Sequence, residues 1–239
     1  MELADREVEA RLVTPNLIYI TVASFFASFG QQLLTATLPV YVLSLGGGQA
    51  EIGLVSGLIA FTAVLLRPLA GWATDAWRRR PIVLAGTACY GLASLVYLLA
   101  TSIPTLLLGR VAHGVGLSSF TTASNAFVAD IAPVKRRAEA VGLYSVSNSL
   151  AGIGGPAVGF LIMSMLGFQR LFLLSSACGF AALLFALLTR EARVARPGKR
   201  PAWSPRTGLV AVDALPYAWT SLCTGVGFGV TQAFVSVYA

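Results

Sequence analysis

Seven long apolar segments follow one another along the chain, separated by short polar connections. They cover residues 16–45, 52–72, 81–101, 103–129, 139–164, 168–189 and 209–237. A helix needs about 20 apolar residues to cross the roughly 30 Å hydrocarbon core of a bilayer. The pattern therefore predicts an all-α membrane protein with one spanning helix per segment, numbered span one to span seven. Thr14-Pro15 predicts the start of span one, with a threonine cap and proline in the first turn.

Polar positions recur on one side of three of these spans. Span one has Ser24, Ser28, Gln31 and Thr35; span four has Arg110, His113, Thr121 and Asn125; span five has Ser145, Asn148, Ser149 and Gly152. Residues spaced three and four apart share a helix face, and a polar face is costly against lipid. Each stripe alone is compatible with hydrogen bonding between helices. Three matched stripes favour a water-filled cavity. Spans three and six are predicted to lack such stripes and to be outer, lipid-facing supports.

Arg110 and His113 are the sharpest candidates within this set. Inserting an arginine at the bilayer centre costs about 2.5–3.5 kcal/mol on biological scales, so Arg110 needs a partner, water or an anionic ligand. It either binds or orients an anionic substrate group, fixes the cavity, or extends to the outer interface. His113 is either a pH-sensitive or ligand-binding residue of the cavity or a packed polar residue. The other candidate cavity residues are Gln31, Thr35, Asn125 and Asn148.

Glycine and proline cluster in span five, where Gly155, Pro156 and Gly159 follow one another closely. Such residues allow close approach of helices and a bend. We expect either plain small-residue packing or a hinge that flexes during transport.

The basic residues indicate the orientation of the chain. Three connections hold them: Arg78 to Arg80, Lys135 to Arg137, and the segment 190–208. The opposite connections hold one base between them, Arg170. Cytoplasmic loops are enriched in Lys and Arg, so the N-terminus and all basic loops are predicted to be cytoplasmic, in a bacterial-type inner membrane.

Composition agrees with a membrane protein and excludes other classes. Hydrophobic residues make up 56% of the 239 residues and charged residues 11%, against about a quarter charged in soluble domains. The net charge of +7 is spread over loops rather than one patch, which argues against nucleic-acid binding. Cys89, Cys178 and Cys223 lie far apart in apolar segments, so neither a metal site nor a cofactor is expected.

The connection after span two has the spacing Gly71-x-x-x-Asp75-x-x-x-Arg79-Arg80. This resembles the loop signature of the major facilitator superfamily, although Ala76 and Arg78 depart from it. In that family the loop stabilises one access state, and the resemblance implies this role for Gly71, Asp75, Arg79 and Arg80.

Further segments share the resemblance in the expected order. They are Leu106-x-x-x-Arg110-x-x-His113-Gly114-x-Gly116 in span four, Ala151-x-x-x-Gly155-Pro156-x-x-Gly159-Phe160 in span five, and Phe29-Gly30 through Leu38-Pro39-Val40-Tyr41 in span one. The span-five segment is similar to the antiporter signature, which favours export. The chain thus resembles 12-span drug/proton antiporters and sugar-efflux-like exporters.

The resemblance implies a domain organisation. Residues 1–189 are expected to form the six-helix N-terminal bundle of the major facilitator fold and 190–208 a cytoplasmic linker. Residues 209–239 would hold span seven, the first helix of an incomplete second bundle. The chain is therefore expected to be truncated, with the missing C-terminal bundle as a partner.

The predicted function is a secondary active transporter, an efflux permease for a small molecule that works by alternating access in the lipid bilayer. If the coupling ion is H⁺, coupling would rest on His113, Asp75, Asp130 or residues outside this chain, because spans one to six have no carboxylate at mid-membrane. The alternatives are a seven-helix sensor or receptor, whose external N-terminus the charge pattern opposes, and a non-transporting fragment. No Gly-x-Ser-Gly elbow accompanies His113 and no phosphate-binding loop is present, so an enzyme is not expected.

Overall fold

The computed structural model describes residues 12–191, together with Trp219 and Cys223. Residues 12–191 belong to the first of two units, Met1–Lys199. Their elements are α1 (Pro15–Ser44), α2 (Gln49–Ala76), α3 (Arg79–Leu98), α4 (Ile103–Ile131), a 3-10 turn (Val134–Arg136) and α5 (Arg137–Leu188). This part of the chain contains no strand, and the all-α prediction is confirmed. Apart from Trp219 and Cys223, the predicted span seven lies outside the described residues.

A single glycine divides the long helix α5. Gly167 has φ 79° and ψ 174°, a conformation open to glycine because it has no Cβ. It separates a first arm, 137–166, from a second arm, 168–188. Helices α1 to α4 and these two arms correspond to spans one to six.

Hydrogen bonds fix the start of span one and the end of span six. The Thr14 hydroxyl accepts a hydrogen bond from the Leu17 N–H at 3.3 Å, and Pro15 opens α1, as predicted. The Asn16 side chain then pairs with the backbone of Arg190 in both directions. Its Nδ2 donates to the Arg190 carbonyl and its Oδ1 accepts from the Arg190 N–H, both at 2.9 Å. The start of span one is thereby joined to the end of span six.

The helices enclose two apolar clusters, one toward each end of the bundle. The first includes Ile20, Phe127 and Tyr144, and the second includes Leu38 and Leu171. Helix α1 packs mainly on α5, whereas α4 packs on both α2 and α3. Large apolar side chains also cover the outside, as expected for a surface that faces lipid.

Helix α4 differs from the other long helices in the hydropathy of its most apolar stretch. Helices α1, α2, α3 and α5 are long and apolar enough to cross a membrane, whereas α4 falls short of the same mean hydropathy. Arg110, His113 and several hydroxyl residues lower its hydropathy. Since polar groups avoid lipid, α4 is the helix most suited to the interior of the bundle.

Candidate functional site

Asn148 joins spans one and five. Its side-chain oxygen accepts hydrogen bonds from the hydroxyls of Ser24, at 3.0 Å, and Ser28. The predicted polar stripes of the two spans therefore meet. Asn148 is half-buried, so its side chain lies at the edge of this interface rather than deep within it.

Gln31 is linked to span three and, through it, to span four. The Tyr90 hydroxyl donates to Gln31 Oε1 at 3.1 Å. The Tyr90 ring lies edge-to-face against His113, with ring centroids 4.8 Å apart. Tyr90 therefore lies between Gln31 and His113 and contacts both, which links the predicted site residues of spans one and four.

Arg110 and His113 are buried beside Tyr97. Their exposed fractions are 2% and 0%. The Tyr97 hydroxyl lies 3.3 Å from His113 Nδ1 and also interacts with the Arg110 guanidinium. Arg110 Nε and His113 Nε2 have no hydrogen-bond partner within the described part of the chain. Gly109 makes room for this arrangement, because a Cβ there would lie 2.4 Å from the Tyr97 ring.

Thr35 and Asn125 are exposed, and each bonds back to its own helix. The Thr35 hydroxyl donates to the Gln31 carbonyl at 3.1 Å, and Asn125 Nδ2 donates to the Thr121 carbonyl at 2.7 Å. Next to Asn125, the Ser124 and Tyr144 hydroxyls are hydrogen-bonded at 2.7 Å, which joins spans four and five. Exposed polar side chains thus occur on each of spans one, four and five, and they are called the polar surface below: Thr35, Asn125, Ser145 and Ser149.

The prediction that spans three and six lack polar stripes is wrong. Span three buries Tyr90, Ser94 and Tyr97 on one face. The Ser94 hydroxyl lies 3.0 Å from that of Ser175 in span six, which donates to the Gly30 carbonyl at 2.9 Å. Both spans therefore contribute to the polar interior. The sequence carries a signal for this stripe, because its residues lie four and three positions apart, but the mostly apolar tyrosine rings obscure it.

The predicted access-state loop forms an ion-pair network at the basic end of the bundle. Arg79 lies 2.6 Å from Asp75 and 3.0 Å from Asp130, linking the ends of spans two and four to the start of span three. The Arg80 guanidinium donates to the Leu187 carbonyl at 2.9 Å. Around Gly71 no atom lies within 4 Å of an added Cβ, so this face of span two is open in the described residues.

Glu191 completes this network, although no motif or spacing in the sequence points to it. Its carboxylate accepts hydrogen bonds from the N–H groups of Arg79 at 3.1 Å and Arg80 at 3.3 Å. These N–H groups open α3, where the helix has no internal acceptors for them and the dipole favours negative charge. The end of span six is therefore bound to the start of span three.

The predicted hinge residues lie in unbroken helix against span one. A Cβ on Gly155 would lie 2.4 Å from Gln32 Cβ, and one on Gly159 would lie 2.6 Å from the Leu33 carbonyl oxygen. Within α5 the only non-helical dihedral angles are those of Gly167, not those of Pro156 or its neighbours. The small residues are thus needed for close packing, and the hinge stays a prediction.

No cluster of three or more His, Cys, Asp or Glu side chains that could hold a metal ion occurs in residues 12–191.

Comparison with known proteins decides the family. The sequence model of the Major Facilitator Superfamily matches residues 20–239. The chain belongs to this superfamily. It is 25% identical over 174 residues to an uncharacterized MFS-type transporter of Methanocaldococcus jannaschii, covering 73% of the chain and 44% of that relative. It is 23% identical over 216 residues to Multidrug resistance protein 1 of Bacillus subtilis, covering 90% of the chain and 55% of that relative.

The family resemblance predicted from the motifs is therefore confirmed, and the chain spans about a third to a half of the length of most curated relatives it matches. Two solved structures share the fold. One is a bacterial homolog of the human lysosomal transporter Spinster, with TM-score 0.66 and 22% identity over 75% of the chain and 46% of that structure. The other is the peptide transporter POT, with TM-score 0.67 and 16% identity over 91% of the chain and 46% of that structure.

Proposed function

We propose that this major facilitator chain is part of a secondary active transporter that exports a small molecule by alternating access. The observation that carries the proposal is the polar surface on spans one, four and five. There Thr35 and Asn125 are exposed although the rest of the outer surface is largely apolar. Exposed polar groups at membrane depth are expected beside a water-filled path rather than lipid.

Export is favoured over uptake by two observations. The span-five segment around Gly155, Pro156 and Gly159 is similar to the antiporter signature. Several relatives are named multidrug resistance proteins, among them one of Mycobacterium tuberculosis at 27% identity over 70% of the chain. H⁺ is the proposed coupling ion, with His113, Asp75 and Asp130 as the titratable candidates within the described spans and their ends.

The proposed orientation places the basic end in the cytoplasm of a cell with a bacterial-type inner membrane. The contacts of Arg79 with Asp130 and of Glu191 with the start of α3 support it, because they gather the basic connections at one end. The ion-pair network would then stabilise one access state, and breaking it would shift the balance between states.

Arg110 is proposed to fix the wall of the path. Its burial and its contact with Tyr97 support this role over direct binding of substrate. In this proposal the pair Arg110 and His113 holds spans three and four in register beside the polar surface.

The test is efflux of a fluorescent cation such as ethidium from pump-deficient bacteria that express the gene encoding this chain. Thr35→Ala and Asn125→Ala should each slow efflux several-fold at equal protein level, because they remove polar groups from the path. Ser164→Ala is the matched control: its hydroxyl is also exposed and bonds back to its own helix, at 3.0 Å to the Leu161 carbonyl. If all three variants export ethidium like the wild type, the polar surface does not line a path for this substrate. If the wild type itself exports no ethidium, the result argues against export of such cations.

A further inference from the structure

A cavity of about 510 Å³ lies at the basic end of the bundle, where span one begins and span six ends. It belongs neither to the polar surface nor to the ion-pair network. Its described lining residues are Thr14, Pro15, Asn16, Tyr19, Leu188 and Arg190. The volume is within the roughly 300–1,000 Å³ typical of small-molecule sites.

The rim of the cavity is held in place by the protein itself. The reciprocal hydrogen bonds between Asn16 and the Arg190 backbone, both 2.9 Å, fix Arg190 next to the first turn of α1. These bonds occupy the N–H and carbonyl groups of Arg190 and leave its guanidinium free to extend. A cation is thus placed at the cavity by bonds that do not use its charge.

Two polar groups of the lining have no partner in the described residues. The Arg190 guanidinium makes no hydrogen bond or ion pair there, and neither does the Tyr19 hydroxyl. A guanidinium is a strong donor to phosphate oxygens. Tyrosine and arginine are also the side chains that proteins place at the level of lipid headgroups.

Two residues of the lining are apolar: Leu188, with 48% of its surface exposed, and Pro15 at the start of span one. Thr14 and Asn16 are polar, but their side chains are already hydrogen-bonded to the backbone. An apolar wall offers no hydrogen-bond donor to a free phosphate ion, but it can pack against the glycerol and upper acyl region of a lipid. The two polar groups and the apolar wall together match an amphipathic anion.

We propose that this cavity binds an anionic phospholipid, with the phosphate against Arg190 and Tyr19 and the glycerol region against Leu188. The lipid would bridge spans one and six at the place where Asn16 already joins them. This assignment does not depend on the transported substrate or on the direction of transport.

The test is native mass spectrometry of the purified, delipidated 239-residue chain titrated with phosphatidylglycerol or phosphatidylcholine. We expect one phosphatidylglycerol to be retained at concentrations where phosphatidylcholine is not. Arg190→Ala should weaken its binding about fivefold, the order expected for one basic side chain at an anionic lipid surface. Tyr19→Phe should weaken it about twofold.

Two further variants distinguish a cavity from a diffuse basic surface. Leu188→Trp keeps every charge but takes up part of the cavity and changes its apolar wall, so it should weaken retention of the lipid. Arg137→Ala removes another exposed base from the same end and should leave binding unchanged. Circular dichroism checks that each variant is folded. If Arg190→Ala does not fold, Tyr19→Phe and Leu188→Trp still test the proposal.

Three results would overturn the proposal. Equal weakening by Arg190→Ala and Arg137→Ala would mean that lipid binds to general surface charge. Full binding by Leu188→Trp would place the lipid elsewhere. Displacement of phosphatidylglycerol by millimolar inorganic phosphate would show that the site takes the free ion.

Discussion

Arg110 is stabilised in the interior by aromatic and polar neighbours rather than by a carboxylate. Within residues 12–191 Arg79 pairs with two aspartates and Arg136 with Glu139, whereas Arg110 takes part in no ion pair. The Tyr97 hydroxyl, shared between Arg110 and His113, is therefore the main described group that compensates the buried charge. An arginine held in this way is sensitive to the loss of a single oxygen atom.

Replacing Tyr97 by Phe should therefore destabilise the bundle. The change removes the shared hydroxyl and leaves buried nitrogen atoms with one partner fewer, at a cost of about 1–3 kcal/mol. Thermal unfolding in detergent measures it. Tyr19→Phe is the control, because its hydroxyl has no partner in the described residues and its loss should not change the melting temperature. Equal melting temperatures for both variants would remove Tyr97 from the support of Arg110.

Helical spacing predicted part of this residue-scale picture. It placed Arg110 and His113 near one face of span four. It also identified both as polar side chains that need partners inside the membrane, because charge and hydropathy can be read from the sequence alone. It did not find Tyr90 and Tyr97, whose mostly apolar rings hide a hydroxyl from any hydropathy pattern. Which hydroxyl meets which histidine depends on the packing of two helices and is not encoded locally.

Spans one and five approach closely because glycines face the backbone of span one. Gly159 lies against the Leu33 carbonyl and Gly155 against Gln32. Gly152, one turn earlier on the same arm, has only an ordinary contact, with Gln32 Nε2 3.5 Å from an added Cβ. The closeness of the two helices therefore depends on particular positions, not on glycine content.

Alanine at these positions should separate their effects. Gly159→Ala places a methyl group 2.6 Å from a carbonyl oxygen that cannot move independently, so we expect a loss of about 1–3 kcal/mol from overpacking. Gly152→Ala should be neutral or slightly stabilising, since alanine favours helix over glycine. Chemical or thermal unfolding of the two variants measures the difference. A stable Gly159→Ala would show that spans one and five can move apart freely.

Arg79 connects three spans, and its removal should weaken their junction. Arg79→Ala leaves Asp130, with 21% of its side chain exposed, without its guanidinium partner, and we expect a loss of about 1–3 kcal/mol of stability. Arg136→Ala breaks the solvent-exposed pair with Glu139 and should have no measurable effect. Thermal unfolding at low and high salt compares the stability of the two variants. An equal change in melting temperature for both would show that Arg79 acts only as a surface charge.

At the scale of elements, the hydropathy pattern predicted where the spans lie but not all of the contacts at their ends. The predicted boundary between spans five and six coincides with Gly167, because a break there interrupts an otherwise continuous apolar segment. Span four was also found, although its polar side chains lower its hydropathy. Glu191, in contrast, was assigned to a linker. Its bonds to residues more than 100 positions earlier arise only when spans three and six lie side by side.

At the scale of the whole molecule, the bundle formed by residues 12–191 has one basic end and one nearly uncharged end, which predicts its orientation in the membrane. With the native cysteines replaced, a Val134→Cys variant should react with a membrane-impermeant maleimide only after the cells are permeabilised. Arg170→Cys, at the opposite end, should react in intact cells. Both positions are exposed, so accessibility to solvent is matched. The reverse labelling pattern would overturn the cytoplasmic assignment of the basic loops.

Two successive residues, Arg190 and Glu191, are fastened to two different helices, the first to span one and the second to span three. Fusion partners are therefore best attached downstream of Glu191, where neither attachment is disturbed. An insertion of even one residue between Thr189 and Arg190 would shift both out of register. A reporter protein inserted between Thr189 and Arg190 should accordingly give much less folded protein than one attached after Glu191.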